Sequence, residues 1–405
     1  MNRYTRSWCI VAIGAVLSLL AGCYAGSTGE PPAGSHPADV LPSDTYLEQY
    51  ADNWAYQRLN KTLQDCYGTL YTALTDSMFT DAVIDSEDGT TYGIAVTLPH
   101  SLSNREDGQT LYRAVLNDNP HFFYVSNAYT LEGYKQDDVS YYNTIKLTFT
   151  ADATQRKTAY EAMNKAVDTL MATAPRTDDQ FQIELYLHDQ LAERCTYDDE
   201  AAASKDGTHH YAYTAYGALA QGKAVCEGYS RAMQLLLKKF NIPCTLVSGT
   251  SLENGENHMW NLVTINGKSY YLDATWNDSG DLGRHSYFNI TTQQLLRTHS
   301  IDADQKWVVN CSSIDDYYYN RQGTYIHSND RYAIANVIAQ QVRRGATDIE
   351  LVFAPDAFEN ARLFLKNATI TKQAVNSYLS GSEYTMWSYR LYSEAKTYTL
   401  TLRKK

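Results

Sequence analysis

Residues 222–230 read Gly222-Lys223-Ala224-Val225-Cys226-Glu227-Gly228-Tyr229-Ser230, and the pattern that follows them decides the fold. Tyr229, Ala232, Met233, Leu236 and Leu237 repeat at the i, i+3, i+4, i+7, i+8 spacing of an amphipathic helix. Cys226 therefore sits where an extended or turning segment passes into a helix. At such a start, unpaired backbone N–H groups and the positive end of the helix dipole favour a thiolate, and they offer donors to an oxyanion. Asn241-Ile242-Pro243 ends the helix, and 245–247 reads as a strand.

Downstream, 258–265 and 268–275 are strand-like runs joined by Asn266-Gly267, the strongest short hairpin signal, because both turn residues tolerate positive φ. With Ile265 facing Lys268, counting outward sets Trp260 opposite Asp273 and His258 opposite Thr275. His258 and Asp273 become diagonal neighbours on one face, about 7–8 Å apart at the backbone, within reach of a carboxylate-to-imidazole bond. A buried Cys is by itself usually a small hydrophobe, a His a satisfied polar group, and an Asp a strand terminator. Their joint order supplies nucleophile, base and orienter.

The segments Ala215-Tyr216-Gly217-Ala218-Leu219, Gly222 to Tyr229, His258-Met259-Trp260-Asn261 and Tyr271-Leu272-Asp273-Ala274-Thr275-Trp276 resemble the bacterial branch of the transglutaminase-like superfamily, across 178–290. The resemblance implies an α+β, papain-like core, with a Cys-bearing helix packed on an antiparallel sheet, and a triad of Cys226, His258 and Asp273. It implies thiol acyl chemistry more firmly than any substrate, since the superfamily includes proteases, cross-linking and deamidating enzymes, and members without activity. It also implies an aromatic or amide oxyanion donor upstream of the nucleophile. Tyr197 is the candidate, with Tyr213 and Gln221 competing. Asp278 competes with Asp273 but lies beyond the paired hairpin.

The flanks are organised differently. Arg3 and Arg6 precede an apolar run over 8–20 and then Leu20-Ala21-Gly22-Cys23, a secretory leader whose end resembles a bacterial lipobox. Residues 1–23 are thus expected to be a signal peptide with Cys23 as lipidation point, against an ordinary signal cut near Ala21 or an uncleaved anchor. Residues 24–43, rich in Gly, Pro, Ser and Ala, read as a flexible tether. An α+β accessory domain is expected over 44–174. Its helix starts at Ser43 or Asp44 and runs toward Leu74; strands follow at 93–98, 121–125 and 144–150, with helices at 111–117 and 153–172. The catalytic domain, 178–300, enters through a helix with Phe181, Leu185, His188, Leu191 and Ala192 on one face, has loops at 199–210 and 248–257, and gains a strand at 287–290. A second α+β accessory domain is expected over 315–405.

Composition fits an exported globular protein: 405 residues with 44% hydrophobic content build two or three cores, and a net charge of −12 excludes the basic stripe of a nucleic-acid binder. The 34 tyrosines fit half-buried strand positions better than sugar-stacking or peptide-stacking surfaces. Of seven cysteines, Cys9 and Cys23 fall in the leader, so the remaining Cys66, Cys195, Cys226, Cys244 and Cys311 leave at least one thiol unpaired. His209 and His210 lack metal-ligand spacing and read as a solvated loop; no metal or cofactor is expected. The reading is a lipid-anchored, extracytoplasmic thiol enzyme acting on protein or peptide substrates of the cell envelope, ranked first as a cysteine protease or amidase. A cross-linking or deamidating transglutaminase and a catalytically silent envelope scaffold are the alternatives.

Overall fold

The computed structural model describes residues 50–404 apart from 87–88, 205–207, 279–283, 304, 306, 347, 355–356, 380–383 and 393–396. The expected leader, Cys23 and the tether lie outside the described residues. Among those described, no helix is long and apolar enough to cross a membrane. The chain forms two compact units. The first holds the described residues up to Ser248 with His258–Asn261 and Ala303–Val308; the second holds Gly249–Asn257, Leu262–Asp302 and the chain from Val309 onward.

The first unit opens with α1 (Lys61–Ser77), β1 (Val83–Ser86), β2 (Gly89–Leu102), α2 (Arg105–Asp118), β3 (Val125–Gln136), β4 (Val139–Phe149) and α3 (Ala153–Ala172). The strands form an antiparallel sheet ordered β1-β2-β4-β3. Helix α1 packs on β2 and buries Leu63, Tyr67, Leu70 and Leu74 along one face. The expected start at 43–44 lies outside the described residues; among those described the helix begins at Lys61, where the Asn60 side chain accepts the Leu63 N–H at 3.0 Å and caps it. Among the described residues, a 3-10 turn, Tyr56–Arg58, precedes it. Likewise, Asn104 caps α2 at Arg105, ahead of the expected 111, and β3 begins at Val125, where the expected strand over 121–125 ends.

The unit continues with α4 (Gln180–Arg194), β5 (Thr196–Tyr197), α5 (Asp199–Ala203), β6 (Lys223–Ala224) and α6 (Cys226–Lys238). Part of the expected 199–210 loop is thus helical: Asp198 accepts the Ala201 N–H at 3.0 Å and starts α5. Helix α6 packs against α4 and buries Tyr229, Met233, Leu236 and Leu237. Its far end is tied to the segment ahead of α1, where Lys238 Nζ donates to Asn53 Oδ1 at 2.8 Å. Beside it, buried Asp118 accepts the N–H groups of Ala55 and Tyr56, each at 3.0 Å, and the Tyr67 hydroxyl at 3.2 Å. Burial pushes the Asp118 carboxyl up to about 6 and the Lys238 amine down to about 8.

Next come β7 (Cys244–Ser251), β8 (Asn257–Ile265), β9 (Lys268–Leu272), α7 (Ala274–Asp278), α8 (Thr292–Leu295) and β10 (His299–Ile301), with sheet order β10-β7-β8-β9. Asn266 and Gly267 take φ of 51° and 77°, the left-handed pair that a tight hairpin needs. Three expectations change here. Strand β7 runs on to Ser251, which sits opposite His299 of β10, so the loop expected over 248–257 shrinks. Strand β9 stops at Leu272, so neither Asp273 nor Thr275 is a strand residue. The segment 287–290 makes a single bridge, Ile290 to Tyr271, in place of a strand.

The second unit ends with α9 (Tyr318–Gln322), β11 (Tyr325–Ile326), α10 (Arg331–Arg343), β12 (Asp348–Phe353), α11 (Phe358–Lys366), α12 (Ala368–Asn376), β13 (Tyr384–Tyr392) and β14 (Thr397–Lys404). The sheet order is β11-β12-β14-β13, parallel only between β11 and β12. Helices α10 to α12 and this sheet enclose a core that includes Ile334, Ile338, Leu351, Phe353 and Phe358. Mixed helices and antiparallel sheets thus make up an α+β protein.

Candidate active site

Cys226 is the first residue of α6, entered from an extended Val225, and no side chain caps that end of the helix. The first-turn N–H groups, and the partial positive charge they carry, are therefore left to whatever approaches the thiol. The entry is held by backbone pairing. Thr196 and Tyr197 of β5 run parallel to Lys223 and Ala224 of β6, and the Val225 N–H donates to Ala212 O at 2.9 Å. Gly228 lets the turn His210–Tyr213 lie against the helix start, since a Cβ there would stand 2.4 Å from Ala212 O. Cys226 is half-buried, and it, Cys66, Cys195, Cys244 and Cys311 are all free thiols.

One turn along α6, Ser230 shares the face of Cys226. Its hydroxyl contacts Cys226 O at 2.8 Å and Met259 O at 3.0 Å, and its own carbonyl accepts from Asn261 Nδ2 at 2.9 Å. These bonds join the nucleophile-bearing face of the helix to β8. His258 is the residue beside Met259 on that strand, 9% exposed, with its ring 5.8 Å from the buried Trp260 ring on the same strand face. Cys226 and the strand bearing His258 are thus brought together within the first unit.

Asp273 belongs to the second unit and is 1% exposed. It follows β9 and starts α7, and this cap, more than the strand pairing expected from sequence, sets its aim. Oδ1 accepts the N–H groups of Thr275 at 3.0 Å and Trp276 at 3.1 Å, while Oδ2 lies 3.2 Å from His299 Nε2. Its own N–H donates to Tyr287 O at 3.0 Å. Asp278, the rival carboxylate, lies at the other end of α7. Sequence reasoning missed His299. It sits in a three-residue strand too short to show alternation, and only its pairing with β7 reveals it.

The remaining candidates separate cleanly. Tyr197 is 40% exposed and pairs through its backbone with Ala224, two residues before the nucleophile. The Tyr213 hydroxyl is committed to Ala201 O at 3.0 Å, and Gln221 ends the π-helical turn Gly217–Gln221 on the exposed side of the chain. His188 is buried and pairs with Asp189 at 2.9 Å. The His210 ring lies tilted against Tyr211, and burial holds its imidazole below the ordinary range. Beside the first turn of α6 lies a 220 Å³ cavity, lined among others by Phe122, Phe123, His210, Tyr213, Glu227 and Arg231. In its wall, Arg231 grips Glu227 at 2.9 Å and Leu116 O at 2.7 Å.

Residues 164–274 match the family model described as the transglutaminase-like superfamily. Among solved structures, the chain is similar to one titled as the crystal structure of a TGase, at 18% identity over 38% of this chain and 46% of that one, TM-score 0.25. It is also similar to a putative cysteine protease from Cytophaga hutchinsonii, at 14% identity over 34% of this chain and 52% of that one, TM-score 0.23. The chain thus spans about half the length of each, 46% and 52%. No curated protein matches it.

Proposed function

Given that residues 164–274 carry a transglutaminase-like domain, of a superfamily whose members are typically cysteine-dependent enzymes, we propose that the protein hydrolyses peptide or side-chain amide bonds through a Cys226 thioester. His258 takes the Cys226 proton, and the thiolate attacks the amide carbonyl carbon. Free N–H groups at the start of α6, with Tyr197 as a second donor, hold the oxyanion. The proton passes from His258 to the departing amine, leaving a thioester. Water, deprotonated by His258, then releases the acid and restores the thiol. Asp273 holds His258 in the productive orientation.

The observation that carries this reading is the Ser230 linkage, which turns the Cys226 face of an uncapped helix toward the strand of His258. Water is favoured over an amine as acceptor because Glu227, the carboxylate next to the nucleophile, is spent on Arg231. Substrates are peptides or proteins of the cell envelope, met by an enzyme tethered through lipidated Cys23, so radiolabelled palmitate should label the wild type and not Cys23→Ala. Incubation with envelope peptides, read by mass spectrometry with Cys226→Ala as blank, tests the chemistry. Gain of one water across a cleaved peptide bond, or exchange of ammonia for water at a side-chain amide, supports hydrolysis. Amine-linked products, or products equally abundant with the blank, contradict it.

A further inference from the structure

The 220 Å³ cavity beside the first turn of α6 is lined by residues of the first unit alone, and they come from two parts of the chain. One side is the segment that leaves α2, with Phe122 and Phe123; the other is the turn His210–Tyr213 with Glu227 and Arg231 of α6. Both sides are held before any ligand arrives. Arg231 Nη1 donates to Leu116 O at 2.7 Å, which fastens α6 to the end of α2. The Tyr213 hydroxyl donates to Ala201 O at 3.0 Å, and the Phe123 ring stacks on Tyr216 at 5.7 Å. At the rim β3 bulges: between the pairs Val125–Phe149 and Tyr129–Leu147, four steps of β3 face two of β4. Ser126 and the exposed Asn127 lie in that bulge and line the cavity. Bulges of this kind re-aim side chains beside working sites.

We propose that this cavity is a subsite for an aromatic side chain of the substrate, one residue away from the bond that Cys226 attacks. The proposal rests on Cys226 being the nucleophile. Glu227 follows it directly, with the two Cα atoms about 3.8 Å apart. At about 3.6 residues per turn, the Glu227 and Arg231 face of α6 lies next to the face of Cys226 and Ser230. A carbonyl held at the thiol therefore places the neighbouring side chain, about 3.5 Å further along an extended peptide, against the cavity wall. The chemistry of that wall selects the class of occupant. Arg231 and Glu227 pair at 2.9 Å and cancel in charge, and burial keeps the His210 imidazole neutral at neutral pH, so no net charge meets the occupant. A charged side chain would lose its water here and gain no counter-ion. An apolar cavity of about 150 Å³ accepts benzene, so 220 Å³ suits one ring with its methylene. Phe122 and Phe123 supply ring contacts, and the Arg231 guanidinium, pinned by three hydrogen bonds, supplies the cation of a cation–π contact.

The test compares alkylation of Cys226 in the full chain by N-(2-phenylethyl)iodoacetamide and by plain iodoacetamide, scored by mass spectrometry. Each rate is divided by that of the same reagent with glutathione, so that intrinsic reactivity cancels. The phenylethyl reagent should be favoured at least about tenfold, its 2-cyclohexylethyl counterpart about threefold less than that, and a 2-carboxyethyl reagent not at all. Ser126→Trp, which fills the cavity, should bring the phenylethyl preference down to about twofold or less. Asn127→Trp, at the exposed rim, should lower it in the same direction, and it carries the test if Ser126→Trp does not fold. A wild-type preference below about twofold, a preference that survives the tryptophan variants, or an equal preference for the cyclohexylethyl or carboxyethyl reagent overturns the proposal. His258→Ala separates this inference from the hydrolase reading. If that variant reacts with iodoacetamide as fast as wild type, the hydrolase reading fails, and the reagent ratio still decides the subsite. If His258→Ala is slow and the wild type shows no phenylethyl preference, only the subsite falls.

Discussion

Two buried carboxylates, one in each unit, are built alike and placed for different ends. Asp118, 3% exposed, and Asp273, 1% exposed, each accept two backbone N–H groups and one side-chain donor. At Asp118 the third donor is Tyr67, and the N–H groups come from residues 55 and 56, so the carboxylate fastens the segment ahead of α1 to α2. At Asp273 the N–H groups come from its own helix, and the third donor is an imidazole fixed by a further hydroxyl chain. Local bonds fix the group against its own helix; long-range bonds hold distant parts of the chain together. In the proposed mechanism the first arrangement serves chemistry, and the second serves stability.

The comparison breaks if the two carboxylates respond alike to mutation. The largest effect is expected from Asp273→Asn, which keeps an oxygen for the Thr275 and Trp276 N–H groups but disrupts the orienting bond. Hydrolysis should fall by about 10³–10⁴-fold while melting changes little. Asp118→Ala should do the reverse. It leaves two N–H donors and the Tyr67 hydroxyl buried without their acceptor and lowers stability by about 3–5 kcal/mol in denaturant titration, while Cys226 alkylation stays within about twofold of wild type.

The pH response sharpens the contrast. The Asp118 carboxyl titrates at about 6 when folded, against about 4 when unfolded, so its contribution is fully present below about 4 and is lost as pH rises through 6. Relative to a non-titrating Asp118→Asn variant, the wild type should lose up to about 3 kcal/mol between pH 4 and 7. A gap that is flat or opens the other way would contradict the burial argument. The smallest effect is expected at Asn60→Ala, where loss of the α1 cap should cost about 1 kcal/mol and leave thiol reactivity unchanged.

Much of the nucleophile's setting was legible because it is local. The helix pattern after Cys226 and the Asn266-Gly267 turn depend on neighbours a few residues away, and both appear as read, the turn with φ of 51° and 77°. What stayed hidden depends on side chains overriding propensity or on distant pairing. Asp273 stops β9 by taking the N–H groups of Thr275 and Trp276, so the strand expected to reach Thr275 ends at Leu272. The strand β10, and His299 within it, exists only because β7 lies alongside, from 48 residues earlier at the Ser251–His299 pair. Helix α1, expected to run through Tyr50 and Leu59, begins among the described residues only at Lys61, because the Asn60 side chain caps it there.

The most direct test of the central claim is the rate at which iodoacetamide labels Cys226 in the native full chain at neutral pH, read by mass spectrometry, and repeated in His258→Ala. A Cys226 activated by His258 predicts fast, selective labelling at Cys226 in the wild type and a rate at least about tenfold lower in His258→Ala. Equal rates at Cys226 in the two proteins would contradict it.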